Sequence, residues 1–310
     1  MKILISGSLA YDRIMDFSGN FSNHLVPSKT GTISISFLVN SMLEKFGGTA
    51  GNIAYSLSLL NEKPLILSTI GRDYQRYFAW LSDNLIPTEG IKIIEDEFTA
   101  SAFITTDEAD NQITLFNPGS MKYSADFNFD VINPGNTIAI ISPGNKEDML
   151  KHAELYRELK VQYIFDPGQQ IPSLNLEEFK NGVTGSKILI ANDYEIELIL
   201  HKLNCQLKDL LELTELVITT KGGNGSLITT SDGDIQIPPC PPNEVLDPTG
   251  AGDAYRGGLI KGILDGKDIK EAAQMGAVCA AYTVETTGTQ EYKYTLKEYW
   301  HRYRQFFGNI

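Results

Sequence analysis

Ile138-Ala-Ile-Ile141, the helix-length stretch Lys146–Leu159 and Tyr163-Ile-Phe165 follow one another in the middle of the chain, and their order decides the fold. An unbroken apolar run suits a strand covered on both faces, and a helix-length segment between two such runs suits a parallel crossover. Outward from this point the pattern repeats. Apolar runs recur at Ile3–Ile5, Leu65–Ile70, Ile188–Ile190 and Leu216–Thr219, and helix-length segments at Asn52–Leu60, Tyr74–Leu85 and Asp193–Leu203. Such alternation predicts a three-layer, doubly wound α/β fold with a mainly parallel sheet. The last third reads as helical, with Gly250–Asp265 and Ile269–Glu285 rich in Ala and Gly for close packing.

Two regions of the chain break the rhythm. Thr32–Val39 alternates apolar and polar residues, as do Ser101–Thr105 and Gln112–Phe116, which predicts half-buried strands of a separate small sheet. With lid segments at about 13–46 and 91–118 inserted into one domain over 1–310, this sheet is expected to cover the carboxyl ends of the main strands, where open α/β sheets bind ligands.

Composition narrows the function. At 310 residues, with 42% hydrophobic and 21% charged residues, the chain can bury a large core. Its net charge of -13 argues against nucleic-acid and anionic-membrane partners, which need basic surface. The start, Met1-Lys-Ile-Leu-Ile-Ser-Gly7, is too short an apolar run for a signal peptide, and no stretch approaches membrane-spanning length. Cys205, Cys240 and Cys279 are scattered, as suits reduced thiols, so a cytoplasmic protein is expected. His24, His152, His201 and His301 form no metal-ligand spacing. An acidic chain that binds phosphate must attract it locally, which directs attention to glycine-rich turns.

Asp247-Pro-Thr-Gly-Ala-Gly-Asp253 leads into a helical stretch. Gly250 and Gly252 permit a tight turn whose N–H groups face an anion at a helix start. Asp253 in the first helical turn is odd for phosphate binding alone but apt for taking a proton from an attacking hydroxyl. Ordinary capping would account for a generic Gly-x-Gly-Asp; the longer string favours the chemical reading. No Walker A loop and no Gly-x-Gly-x-x-Gly after a strand is present. Thr219-Thr-Lys-Gly-Gly-Asn-Gly-Ser226 is a turn that can serve nucleotide phosphates through Thr220, Gly222 and Gly225, or simply join two strands. Asn192-Asp-Tyr-Glu195 opens a helix; Asn192 and Glu195 can form a capping box, or Glu195 can hold Mg2+ through water beside ATP. Arg256 is either a phosphate contact or a solvent-facing helix residue.

These strings resemble the PfkB (ribokinase-like) carbohydrate kinase family over nearly the whole chain. Gly47-Gly-Thr-Ala-Gly-Asn52 resembles its amino-terminal signature, Asp247–Asp253 its carboxyl-terminal one, and Asn192–Glu195 its magnesium motif. The resemblance implies a ribokinase-like fold with a β lid, ATP as donor, Mg2+, an anion hole from Gly250, Ala251 and Gly252, and Asp253 as catalytic base. Within the family the likeness is greatest to bacterial adenosine kinases, on Ser34-Ile-Ser-Phe-Leu-Val39, Asp166-Pro-Gly-Gln-Gln170, Asn192–Glu195 and Thr287-Gly-Thr-Gln-Glu-Tyr292, with Gly168 departing from a serine.

At the acceptor end, a carboxylate such as Asp12 suits two vicinal hydroxyls. The resemblance makes it a ribose ligand together with Gly48 and Asn52, with Ser8 beside it after the first strand. Ser36, on the polar face of its expected lid strand, would reach the ligand. Phe103 and Phe116 fall on the other expected lid strands, where an aromatic is ordinarily core; the adenosine-kinase likeness turns both toward stacking on a base. Gln169 and Gln170 are base or ribose contacts by resemblance alone. The expected reaction is transfer of the ATP γ-phosphoryl group to the ribose 5′-hydroxyl of adenosine, giving AMP. The rivals are a family kinase for ribose, fructose, inosine or guanosine, and a non-catalytic nucleoside-binding protein. A homodimer through the lid, and a monovalent cation such as K+ near Thr287–Gln290, are further expectations from the family.

Overall fold

The computed structural model describes residues 1–24, 35–109 and 111–308. The strands are β1 (Lys2–Ser6), β2 (Ala10–Asp16), β3 (Ser41–Gly47), β4 (Leu65–Gly71), β5 (Ile91–Ile94), β6 (Ala100–Thr106), β7 (Gln112–Asn117), β8 (Thr137–Ile141), β9 (Gln162–Phe165), β10 (Ser186–Asn192), β11 (Thr214–Thr220), β12 (Ser226–Thr230) and β13 (Gly233–Ile237). The helices are α1 (Thr49–Leu59), α2 (Gln75–Asp83), α3 (Lys146–Leu159), α4 (Leu176–Val183), α5 (Asp193–Leu203), α6 (Ala251–Leu264), α7 (Ile269–Val284) and α8 (Leu296–Phe307).

The main sheet has nine strands in the order β13-β12-β11-β10-β9-β8-β1-β4-β5. From β5 through to β11 all neighbours are parallel, and β12 and β13 close one edge in antiparallel fashion. The apolar runs are unbroken because both faces are covered. On one face Ile3 and Ile5 of β1, Ile138 and Ile140 of β8, and Ile188 and Ile190 of β10 share a core with residues of α1, α6 and α7. On the other, Leu4, Ala139, Ile141, Leu189 and Ala191 pack with Met149 and Ala153 of α3 and Phe179 of α4. Close contact of α6 with α7 depends on small residues. A Cβ on Gly258 would stand 2.5 Å from the Met275 carbonyl oxygen.

The small sheet has four strands in the order β3-β2-β6-β7. Its make-up departs from expectation in two ways. Within Thr32–Val39, the part that lies inside the described residues forms no strand: Phe37 tucks edge-on against Phe17 and Phe21, and Ser36 is exposed. The strand that pairs with β2 is Ser41–Gly47 instead. Ile91–Ile94, assigned to the lid by sequence, pairs with β4 and extends the main sheet. The switch point of the main sheet lies between β1 and β8, since the chain proceeds from β1 toward β4 and β5 on one side and from β8 toward β9, β10 and β11 on the other. The crevice beyond their carboxyl ends, the usual ligand position of such sheets, is where the site assembles.

Candidate active site

The turn before α6 puts Gly250 at the helix N-cap with φ of 79°, a left-handed conformation natural to glycine, and a Cβ there would meet Thr289 at 2.9 Å. Among the described residues the N–H groups of Gly250, Gly252 and Asp253 bond no protein acceptor, so they face outward at the positive end of a 14-residue helix. Ala251 N–H leans to the Pro248 carbonyl at 3.3 Å, which makes it the weakest of the expected anion donors.

Asp253 is half-buried in this turn. Its Oδ2 accepts a 2.8 Å bond from Asn52 Nδ2, which joins the two signature regions across 201 positions. Burial raises its pKa, and Glu195 adds to the rise, against the opposing pull of Arg256 and Asn52. A carboxylate poised to take a proton is what such surroundings produce. Arg256 is not solvent-facing, and its guanidinium is engaged within the protein. It is buried, donates to the Gly252 carbonyl at 2.9 Å and pairs with Asp166 at 2.8 Å. Burial pushes Asp166 upward while the guanidinium pulls it down; at that separation the two stand as an ion pair that pins β9 to α6. Asp166 ends the apolar run of β9, and a charge closing a buried strand is the signal that could have marked it.

Asp12 lies on β2, over Gly47. Burial raises its carboxyl to about 6, with Asp247 and Asp253 adding their repulsion. Among the described residues its side chain makes no hydrogen bond, so both oxygens remain for a ligand. Burial opposes ionisation of Asp247, but bonds from Thr249 and Gly288 hold it below the usual range.

The lid register corrects the aromatic pair. Ala102 stands opposite Phe116 and Phe103 opposite Leu115, while Asp12 is level with Ala102 and Arg13 with Phe103. Directly opposed residues share a face, so Phe116 is on the Asp12 face and Phe103 on the other. Phe103 packs there under the Arg13 guanidinium, 5.2 Å from the ring centroid. Only Phe116, exposed by 51%, is available to a ligand lying over Asp12.

Other expected residues have structural duties. Ser8 Oγ accepts the Thr49 N–H at 3.1 Å and so caps α1. Gly48 (φ 87°) presses on the backbone of residues 8–10, where a Cβ would lie 2.6 Å from the Ser8 carbonyl oxygen. Gln170 is tied to the Gly144 carbonyl at 2.8 Å and to Ser173, so it is not free for a base, whereas Gln169 is exposed. Asn192 and Glu195 do form the capping box, with both bonds at 2.8 Å. That occupies one Glu195 oxygen and leaves the other open. Asn192 and Thr220 stand side by side at the ends of β10 and β11. Beyond them Gly222 and Gly223 face open space, while a Cβ on Gly225 would come within 2.1 Å of the Ile237 carbonyl oxygen, so Gly225 serves the turn itself.

The site therefore gathers Asp12, Asp166, Glu195, Asp247 and Asp253 around one buried cation, Arg256, that is already paired. Glu195 lies close enough to raise both Asp166 and Asp253. Among the described residues no group of three side chains is set to ligate a metal directly. The donor set fits a hydrated cation held by the open Glu195 oxygen better than a bare ion in a protein cage. Gln290, Tyr77 and Trp80, which fix Asn52 from behind, were not singled out by sequence, although Gln290 lies in the quoted string Thr287–Tyr292.

Comparison with known proteins places the chain in a family. The profile of the pfkB family carbohydrate kinases matches residues 9–295. A nucleoside kinase of Methanocaldococcus jannaschii is 34% identical over 264 residues, covering 82% of this chain and 84% of that protein. The solved structure of a Burkholderia thailandensis nucleoside kinase in complex with inosine superposes with a TM-score of 0.88 at 35% identity, covering 99% of this chain and 97% of the other. The crystal structure of the M. jannaschii nucleoside kinase gives a TM-score of 0.88 at 31% identity, covering 98% of this chain and 99% of the other.

Proposed function

The chain belongs to the pfkB family of carbohydrate kinases and is a phosphotransferase, and from that premise we infer that its acceptor is the ribose 5′-hydroxyl of a purine nucleoside, adenosine first, with ATP as donor. The observation that carries this reading is the shared face of Asp12 and Phe116, with Asp253 beyond them. Two carboxylate oxygens suit the vicinal 2′- and 3′-hydroxyls, and an exposed ring on the same face suits a planar base. A free sugar would need the first and have no use for the second. Inosine is the second reading, favoured by the likeness to an enzyme solved with inosine.

Asn52 would hold the ribose and orient Asp253. Asp253 takes the 5′-hydroxyl proton as that oxygen bonds to the γ-phosphorus and the bond from phosphorus to the ADP oxygen breaks. The N–H groups of Gly250, Gly252 and Asp253 donate to the oxygens of the transferring group, where preorganised donors contribute most. Thr220, Asn192 and the open Gly222–Gly223 turn border the ATP phosphates. Glu195 would hold Mg2+ through water, and the ion would supply charge neutralisation for the donor phosphates. Phosphorylation of a panel of adenosine, inosine, guanosine, cytidine, ribose and fructose with Mg-ATP tests the reading. Purine nucleosides should lead in kcat/KM; ribose or fructose turned over as well as adenosine would refute it.

A further inference from the structure

Behind the base lies a chain of hydrogen bonds that runs in one direction only. Trp80 Nε1 donates to Gln290 Oε1 at 2.9 Å. Gln290 Nε2 donates to Asn52 Oδ1 at 3.0 Å and to the Tyr77 hydroxyl at 2.9 Å. Tyr77 in turn donates to the Gly47 carbonyl at 2.7 Å, and Asn52 Nδ2 donates to Asp253 Oδ2 at 2.8 Å. Tyr77 is fully buried, and Gln290 and Asn52 are exposed by only 1% and 5%.

The chemistry of the two fixed ends determines everything between them. An indole N–H can only donate, so the oxygen of the Gln290 amide must face Trp80. The single phenolic proton of Tyr77 goes to a carbonyl, which can only accept, so the phenolic oxygen must accept from Gln290. Both constraints turn the Gln290 NH2 toward Asn52. Asn52 must then show its oxygen to Gln290 and its NH2 to Asp253. A flipped Asn52 would bring an amide oxygen against the half-buried carboxylate, which favours the protonated acid and disables a base.

We propose that Gln290, held by Trp80, is a positioning residue that fixes the amide of Asn52 and so keeps Asp253 charged and aimed for proton transfer. This rests on the reading of Asp253 as the base. The other charged groups facing Asp253 are Arg256 on its own helix, Glu195 from α5, Asp12 from β2 and Asp166 beyond β9. None of them touches Gln290 in the hydrogen-bond network.

The test is the pH dependence of kcat with both substrates saturating, for wild type, Gln290→Met, Asn52→Leu and the double variant. Gln290→Met keeps the length of the side chain and adds no charge. It should move the acidic limb of the profile up by about one pH unit, so that kcat falls about tenfold on the acid side of that limb and recovers toward pH 9. Within the Asn52→Leu background the same change should move nothing, because Gln290 acts through Asn52. A loss equal at every pH, or an undiminished shift in the double variant, would overturn the proposal. If Gln290→Met does not fold, Trp80→Phe removes the first donor of the chain and should move the limb in the same direction. Asp253→Asn separates the two levels: an active Asp253→Asn sinks the base assignment, whereas an inactive Asp253→Asn beside an unmoved Gln290→Met limb sinks only the role of Gln290.

Discussion

Asp12→Asn should make the empty protein more stable and the enzyme worse. Burial and the repulsion of Asp247 and Asp253 raise the Asp12 carboxyl from 3.8 to about 6. The folded-state pKa is thus above the unfolded one. A group of that kind contributes stability that is fully present below the unfolded pKa and lost as pH rises through the folded one. A rise of about two pH units at 1.36 kcal/mol each puts the penalty at pH 7 near 3 kcal/mol, falling to about 1 kcal/mol at pH 4.5. Asparagine is close to the protonated acid in shape and carries no such penalty. In urea unfolding, Asp12→Asn should therefore exceed wild type by about 2–3 kcal/mol at pH 7, and the difference should shrink as pH falls through 6 toward 4. The same change removes one of two oxygens offered to the vicinal hydroxyls, each a bond of about 1.5–3 kcal/mol to a charged group, so KM for the nucleoside should rise at least tenfold. A stability difference independent of pH, or a variant less stable than wild type at pH 7, would refute the account of Asp12 as a strained ligand group.

The lid faces make a paired prediction: Phe116→Ala should raise nucleoside KM about tenfold through loss of about 1–3 kcal/mol of stacking, while Phe103→Ala leaves KM within twofold and costs about 1 kcal/mol of stability through Arg13. Initial rates on adenosine and thermal melts separate the two. Glu195→Gln should raise the Mg2+ concentration for half-maximal rate about 10–100-fold with adenosine KM unchanged, read by metal titration of initial rates. Gly225→Ala, with φ of 79° and the Ile237 carbonyl in the way, should cost about 1–3 kcal/mol in urea unfolding, whereas Gly223→Ala, with nothing near its Cβ, should leave stability within about 0.5 kcal/mol and act only on KM for ATP.

The parts of the fold legible in the sequence are those whose signal is local. The main strands show as apolar runs because helices cover both faces, and Lys146–Leu159 and Asp193–Leu203 carry their caps at the helix ends, Asn145 and Asn192 at the start and left-handed Lys160 and Asn204 at the close. The lid was less legible. β3 presents neighbouring apolar residues, Met42 and Leu43, that are both more than half exposed, so no alternation marks it. The facing of Phe103 against Phe116 depends on the register across the turn between β6 and β7, and one residue of slip would put both on the same face. Asn52 and Asp253 were readable one at a time from their motifs. Their bond, and the bond of Gln290 to Asn52 across 238 positions, belong to tertiary packing that no local pattern encodes.

The acidity of the chain and the burial of its site lead to one consequence. Asp247 and Asp253 both repel Asp12, and Glu195 adds to the strain on Asp253. No unpaired cation among the described site residues relieves them, since Arg256 is engaged by Asp166. Hydroxyls that donate to ionised Asp12, and a divalent ion near Glu195, would supply what the empty site lacks. Ligands that bind the folded state alone stabilise it by mass action, and here they also pull raised carboxyls back toward their ordinary range. Adenosine should therefore raise the melting temperature more at pH 7.5 than at pH 5, where Asp12 already holds its proton. In Asp12→Asn that pH dependence should disappear; its persistence there would mean that the field of the site lies elsewhere.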